Sequence, residues 1–163
     1  FGSGMETDTY FIAMSATGII TGLMSNAIRT TFIPVAAEIE ALEGKKEKLN
    51  HTNNLINIVF FLSLILACIA WIASPLIIKL LAKGFYGEQY KLAIQLLRIG
   101  LPMIIFSSII GVFLGFLQSE QRYMSTAAIG FPFNFVYIFF LLFLSSKFGI
   151  KGLMVSSVLA VFS

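Results

Sequence analysis

The sequence predicts an all-α, polytopic transmembrane helix bundle, and three observations support this fold class. The chain is 58% hydrophobic and has a mean hydropathy of +0.91. Only 12% of its residues are charged, whereas about a quarter are charged in a typical soluble domain. The charges lie mainly between long apolar runs, and an apolar run of about 20 residues can cross a hydrocarbon core of about 30 Å as a helix.

The apolar runs divide the chain into five elements. Their approximate limits are residues 9–37, 55–77, 92–117, 125–144 and the start of another span at 150–163. Polar segments connect them, of which 38–50 is the longest and contains both glutamates and lysines. Short connections place neighbouring helices antiparallel, so we expect residues 1–163 to form a single transmembrane domain, as a fragment of a larger multispan protein.

The basic charge balance indicates membrane lipids as partners. A net charge of +3 would suggest nucleic acid for a soluble protein, but the lysines here lie in the connecting segments and are expected to face lipid headgroups and water. We therefore expect no nucleic-acid partner. Basic residues on alternate sides of the spans number four against five, so charge counting leaves the orientation open.

The first span carries a polar stripe. Its members are separated by 7, 3, 4, 4 and 3 residues, a spacing that puts them on one helix face: Asp8, Ser15, Gly18, Gly22, Asn26 and Arg29. In a membrane helix such residues face protein or a wet cavity, whereas large apolar residues can face lipid. Because Gly18 and Gly22 match the G-x-x-x-G pattern, the stripe predicts either a helix packing notch or the lining of a wet groove.

Arg29 and Pro34 combine a cation with a helix-breaking residue. Arg29 lies 21 residues after Asp8, about 31 Å along a helix, so it either snorkels to headgroups or needs an anionic partner, a ligand or water. Pro34 predicts a kink beside it. In the third span Arg98 precedes Pro102 on the same face, and Pro102 is a second candidate hinge. Prolines and glycines inside several spans are typical of transporters with bent helices.

Enzyme chemistry has little support in the sequence. His51 is the only histidine and has no partner at metal-ligand spacing, and Cys68 has no histidine near it. Neither a Walker loop nor a G-x-G-x-x-G pattern occurs. We therefore predict that the protein is not an enzyme and uses no metal and no cofactor.

Several ordered segments carry a family resemblance. The segments "FGSGMETDTYFIAM", "TTFIPVAAEIE", "ASPLIIKLLAKGF", "LLRIGLPMIIFSSIIGVFLGFLQSEQRY" and "FGIKGL" resemble the MurJ/MviN family of lipid II flippases, in the multidrug/oligosaccharidyl-lipid/polysaccharide exporter superfamily. The resemblance implies part of one six-helix lobe of a two-lobe transporter in the bacterial cytoplasmic membrane. It also implies alternating access to a central cavity, and cytoplasmic positions for 38–50 and 119–122.

The resemblance also bears on the site. Asp8 matches the aspartate of the family's "TDA-aromatic" pattern, although Thr9 replaces the alanine. The family commonly has an arginine in the middle of this helix, which the segment "GIITGLMSNAI" lacks. We predict Arg29 as a cavity or portal residue for a lipid-linked anionic substrate, because a guanidinium suits phosphate oxygens. Asp8, Ser15 and Asn26 would support it, and the remaining helices of the full-length protein would complete the cavity.

Two other functions remain open at this point. The protein could export another polyprenyl-linked oligosaccharide or a drug, although a cationic drug would favour a cavity lined by carboxylates. It could also be a non-transporting membrane scaffold of the same fold.

Overall fold

The computed structural model describes residues 4–120, 124, 130–143 and 145–162, and their secondary structure confirms the all-α fold class. The helices are α1 (Met5–Glu43), α2 (Lys45–Leu81), α3 (Gly87–Gly100), α4 (Pro102–Ser119), α5 (Gly130–Phe143) and α6 (Ser145–Phe162).

Three helical stretches of the described chain are long and apolar enough to cross a membrane. They are Met5–Glu43, Lys45–Leu81 and Gly87–Ser119, and Gly130–Phe140 and Gly149–Val161 are shorter apolar helices. Thus the predicted spans 9–37 and 55–77 lie inside α1 and α2, and the span 92–117 falls on α3 and α4 together. Of the predicted span 125–144, residues 125–129 and 144 lie outside the described residues, as does Ser163.

The charged segment 38–50 is helical on both sides of one glycine, whereas the sequence predicted a connecting segment there. The helix α1 continues to Glu43 and α2 begins at Lys45, because glutamate, lysine, alanine and leucine all favour helix. Only Gly44, with φ 89°, leaves the helical conformation, and a positive φ is readily adopted only by glycine. At about 58 Å, α1 is much longer than the hydrocarbon core is thick, so its end carries charge beyond the membrane.

The helix α1 is the centre of the bundle. It packs against α2, α3 and α4, and α6 packs against α3. Ala13, Leu96, Ile104 and Met154 are fully buried in the core between them. Hydroxyl groups complete this packing: Tyr10 Oη lies 3.1 Å from Ser157 Oγ.

Helices α1 and α4 approach closely at glycines of α4. A Cβ at Gly111 would lie 3.5 Å from Ser25 Cα, and one at Gly115 would lie 3.0 Å from the Phe32 ring. Ser25 Oγ also donates a hydrogen bond to the Ser107 carbonyl, at 3.3 Å. The close helix contact of α1 is therefore provided by small residues of α4.

The two prolines predicted as hinges occupy different positions. Pro34 lies inside the continuous helix α1. Pro102 is the first residue of α4, and Leu101 before it keeps helical dihedral angles (φ −55°, ψ −34°), so α4 follows α3 with a break in the hydrogen-bond ladder. Because proline has no N–H to donate to the preceding turn, a helix interruption is favoured at this point. A hinge function stays a prediction for both.

Candidate functional site

The polar stripe of α1 faces away from the packed helices. Asp8, Ser15 and Asn26 are exposed and Arg29 is half-buried. The opposite face forms the core contact, and its buried residues are Thr9, Tyr10, Ala13, Ala16, Thr17, Ile28, Phe32 and Ala36. Within the described residues, the other helices leave the stripe open from Asp8 to Asn26, and α4 contacts it at Arg29.

Gly18 and Gly22 do not form a packing notch among the described residues. A Cβ built on either glycine meets no atom within 4 Å. A helix that packs into this G-x-x-x-G pattern would therefore have to come from outside the described part of the chain. Both interpretations of the stripe, a packing notch and the lining of a wet groove, stay predictions.

Arg29 is oriented by α4 at one end of the stripe. Its Nη2 donates a hydrogen bond to Gln118 Oε1 at 3.2 Å, and Gln118 is in the last turn of α4. Asp8 is about 31 Å away along the helix and cannot pair with it. No carboxylate among the described residues forms an ion pair with Arg29. Within the described residues, a neutral amide therefore fixes the direction of the guanidinium and leaves its charge without an ion pair.

An ion-pair cluster centred on the buried Lys48, with Glu40, Lys45 and Glu120 around it, lies at the same end of the bundle. The side chain of Lys48 is fully buried, and its Nζ lies 2.6 Å from Glu40 Oε2 and 2.8 Å from Glu120 Oε1. Lys45 Nζ lies 3.1 Å from Glu120 Oε2 and is exposed. The cluster ties the end of α1 to the start of α2 and to the residue that caps α4.

The sequence did not predict this cluster, because 38–50 was expected to be a connecting segment. Once α2 is known to begin at Lys45, the positions of Lys48, Thr52 and Val59 recur on one buried face. This spacing was the available signal. The partner Glu120 is 72 residues away, so its contact could not be inferred from local spacing.

Glu120 makes the stability of this end dependent on pH. A hydrogen bond from Lys48, and a smaller contribution from one by Lys45, lower the pKa of Glu120 from 4.5 to about 2. A carboxyl group whose pKa is lowered by folding stabilises the folded state when the pH is above the pKa of the unfolded chain. This stabilisation is lost as the pH falls toward the lower pKa of the folded state.

We expect the melting temperature of the full-length protein to exceed that of a Glu120→Gln variant at neutral pH. This difference should shrink between pH 4.5 and about 2, as protonation removes the charge that the variant lacks. Thermal unfolding in one detergent across this range measures it. A difference that is independent of pH would show that the ionised form of Glu120 contributes nothing.

No group of three or more histidine, cysteine, aspartate or glutamate side chains within the described ranges is arranged to hold a metal ion.

The apolar spans and the open polar stripe define a helical, multi-pass membrane protein. Comparison with known families is more specific. Residues 1–163 match the family model described as "Lipid II flippase MurJ". The chain belongs to the MurJ family, as the resemblance in its sequence motifs predicted, and is a multi-pass protein of the cell membrane.

Three curated relatives are each named "Probable lipid II flippase MurJ". The protein of Buchnera aphidicola subsp. Acyrthosiphon pisum (strain APS) is 29% identical over 151 residues, which cover 91% of this chain and 30% of the relative. That of Rickettsia prowazekii (strain Madrid E) is 27% identical over 130 residues, covering 78% and 25%. That of Buchnera aphidicola subsp. Baizongia pistaciae (strain Bp) is 28% identical over 156 residues, covering 93% and 30%. The chain therefore spans less than a third of the length of each.

Proposed function

We propose that this chain is part of a flippase that moves lipid II, the lipid-linked precursor of the cell wall, across the cytoplasmic membrane. The observation that carries the proposal is the open polar stripe of α1, with Arg29 held at one end of it. The family membership of the chain and the names of its relatives point to the same substrate.

The chemistry of the substrate explains why the stripe ends in an arginine. Lipid II carries a pyrophosphate, and a phosphate group in a low-dielectric passage needs cations to replace its hydration. The guanidinium presents parallel N–H groups that match phosphate oxygens. Asn26 and Ser15 add neutral hydrogen-bonding groups along the path. Transport of this kind forms and breaks no covalent bond, so the protein would act as a transporter and not as an enzyme.

The open stripe also suggests how the passage is completed. The exposed positions Ser15 and Asn26 lie on the side of α1 opposite the packed helices. The remaining helices of the full-length protein would cover this side and enclose water between two lobes. Alternating access would then expose the stripe to each side of the membrane in turn.

Water access to the stripe tests this proposal. In the full-length protein without its native exposed Cys68, single cysteines at Ser15, Gly22 and Asn26 should react with a membrane-impermeant thiol reagent. Two matched controls place the single cysteine elsewhere. One replaces Ile72, which is 79% exposed on an apolar face, and the other replaces Ala13, which is fully buried. Both controls should stay unlabelled, because one faces lipid and the other is enclosed.

Stripe cysteines as unreactive as the Ile72 control would show that the stripe faces lipid or a dry helix contact, and would refute the passage. The substrate is tested separately by depleting the protein in the source cells. Accumulated lipid II on depletion supports lipid II as the passenger, whereas accumulation of another polyprenyl-linked oligosaccharide would overturn that assignment.

A further inference from the structure

A second cationic feature lies on the other side of the bundle. A cavity of about 580 Å³ opens between α2, α3, the start of α4 and α6, and we call it the Arg98 cavity. It is lined by Trp71, Gln95, Arg98, Ile99, Pro102 and Lys151. None of these lining residues belongs to α1, which carries the polar stripe, so the two features are distinct.

The guanidinium of Arg98 is held in a fixed direction. Pro75 lies inside α2 and cannot donate to the Trp71 carbonyl, because proline has no N–H. The fully buried Ser74 replaces that donor, with its Oγ 2.8 Å from the Trp71 carbonyl oxygen. The same Oγ accepts a hydrogen bond from Arg98 Nε at 2.9 Å, and the guanidinium lies 5.3 Å from the centre of the Trp71 ring. Within the described residues, this contact leaves the terminal Nη groups of Arg98 without a hydrogen-bond partner.

The charge in the Arg98 cavity is not compensated. Arg98 and Lys151 come from different helices and line the same cavity, and none of the lining residues is acidic. Within the part of the chain that the structure describes, neither side chain forms an ion pair. An oriented guanidinium and an ammonium around one cavity favour a phosphate group, which accepts several charge-assisted hydrogen bonds.

The Arg98 cavity continues into an apolar groove of about 370 Å³. This groove is lined by Ala67, Cys68, Trp71, Ile72, Leu101, Pro102 and Ile105, so Trp71 and Pro102 border both spaces. Ile72 is 79% exposed and belongs to an outward apolar face of α2 that also includes Ile65, Ile69 and Leu76. In a membrane-spanning helix such a face contacts lipid. The groove is therefore open to the hydrocarbon region.

We propose that the Arg98 cavity and the apolar groove together bind one anionic glycerophospholipid of the surrounding membrane. Its phosphate binds Arg98 and Lys151, and an acyl chain lies in the groove against Cys68 and Ile105. The groove opens on the outward apolar face of α2, and no residue of α1 lines it, so its occupant is a resident membrane lipid and not the transported molecule. This proposal does not depend on the proposed function.

The test compares two lipids that differ only in headgroup charge. Native mass spectrometry of the full-length protein, titrated with phosphatidylglycerol and with phosphatidylcholine of the same acyl chains, measures binding of each. We expect the double variant Arg98→Gln/Lys151→Gln to lose roughly thirtyfold in affinity for phosphatidylglycerol, since each cation near a phosphate contributes about 1 kcal/mol. The matched control Lys79→Gln/Lys83→Gln removes two exposed charges outside the cavity and should bind as the wild type does.

A second pair of measurements keeps the test independent of folding. Lys151 is exposed, so Lys151→Gln alone should fold normally and should lose about fivefold in affinity. Cys68→Trp fills the groove and should weaken phosphatidylglycerol binding while the headgroup charge is unchanged.

Three outcomes would overturn the proposal. Equal affinity for the two lipids in the wild type would exclude recognition of the anion. If the Lys151→Gln variant and the double variant bound phosphatidylglycerol as tightly as the wild type, Arg98 and Lys151 would be excluded as the groups that bind its phosphate. Displacement of phosphatidylglycerol by an equimolar polyprenyl phosphate would identify the transported class of lipid as the occupant in place of a membrane phospholipid.

Discussion

An Arg29→Ala variant of the full-length protein is expected to move lipid II at least about tenfold more slowly than the wild type. A hydrogen bond to a charged group contributes about 1.5 to 3 kcal/mol, and the variant removes a guanidinium that has no ion-pair partner among the described residues. Stability should change little, because the only hydrogen bond that fixes Arg29 in the described chain is to the neutral Gln118. Translocation of fluorescent lipid II into proteoliposomes measures the rate.

Two controls separate the role of Arg29 from a general effect of charge. Lys46→Ala removes an exposed cation from the same end of the bundle and should leave the rate unchanged. Arg29→Lys keeps the charge but loses the planar fork that matches phosphate oxygens, so its rate should be intermediate. If Arg29→Ala transports at the wild-type rate, Arg29 is a snorkelling residue that contacts headgroups and has no part in the passage.

A Lys48→Met variant is expected to lower the free energy of unfolding by about 3 kcal/mol, since removal of one partner leaves buried charge uncompensated. The side chain of Lys48 is fully buried between Glu40 and Glu120. This loss of unfolding free energy should lie at the low end of the range for broken buried ion pairs, because the Glu40 side chain is 38% exposed and water can reach it. Thermal or denaturant unfolding of the full-length protein in detergent measures the loss.

Lys45→Met is the matched control for Lys48. Lys45 contacts the same carboxyl group of Glu120 but is 63% exposed, and an exposed ion pair contributes under about 1 kcal/mol. Adding Glu40→Gln and Glu120→Gln to Lys48→Met should recover part of the loss, because no unpaired charge then remains. Equal losses for Lys45→Met and Lys48→Met would contradict the importance of burial.

The exposed stripe of α1 shows how far local spacing can lead. The recurrence of Asp8, Ser15, Asn26 and Arg29 on one face follows from the helical period alone. In the structure the first three are exposed, and Arg29 is half-buried against Gln118 of α4. The glycines illustrate the limit of the same reasoning. Gly18 and Gly22 match a packing pattern, yet the close contact with α1 is made by Gly111 and Gly115 of α4. A pattern on one helix does not specify which partner face approaches it.

The charged segment between α1 and α2 shows a second limit. Its composition was correctly identified as polar, but polarity alone does not distinguish a loop from a helix that extends beyond the membrane. The helical propensity of residues 38–50 and the single positive φ at Gly44 reduce the connection to one residue. As a result Lys48 is buried in the bundle, and a stretch whose composition suggests solvation contains the shortest ion pair of the described chain.

The sequence alone determined the membrane class, the family and the polar face of the first helix, because hydropathy, motif order and helical period are all local properties. Only the tertiary structure decided which charges meet. Lys48 pairs with Glu120 from 72 residues away, and Arg98 and Lys151 line one cavity. Such contacts depend on which helix faces pack together, and that choice is set by the shape and burial of the whole bundle.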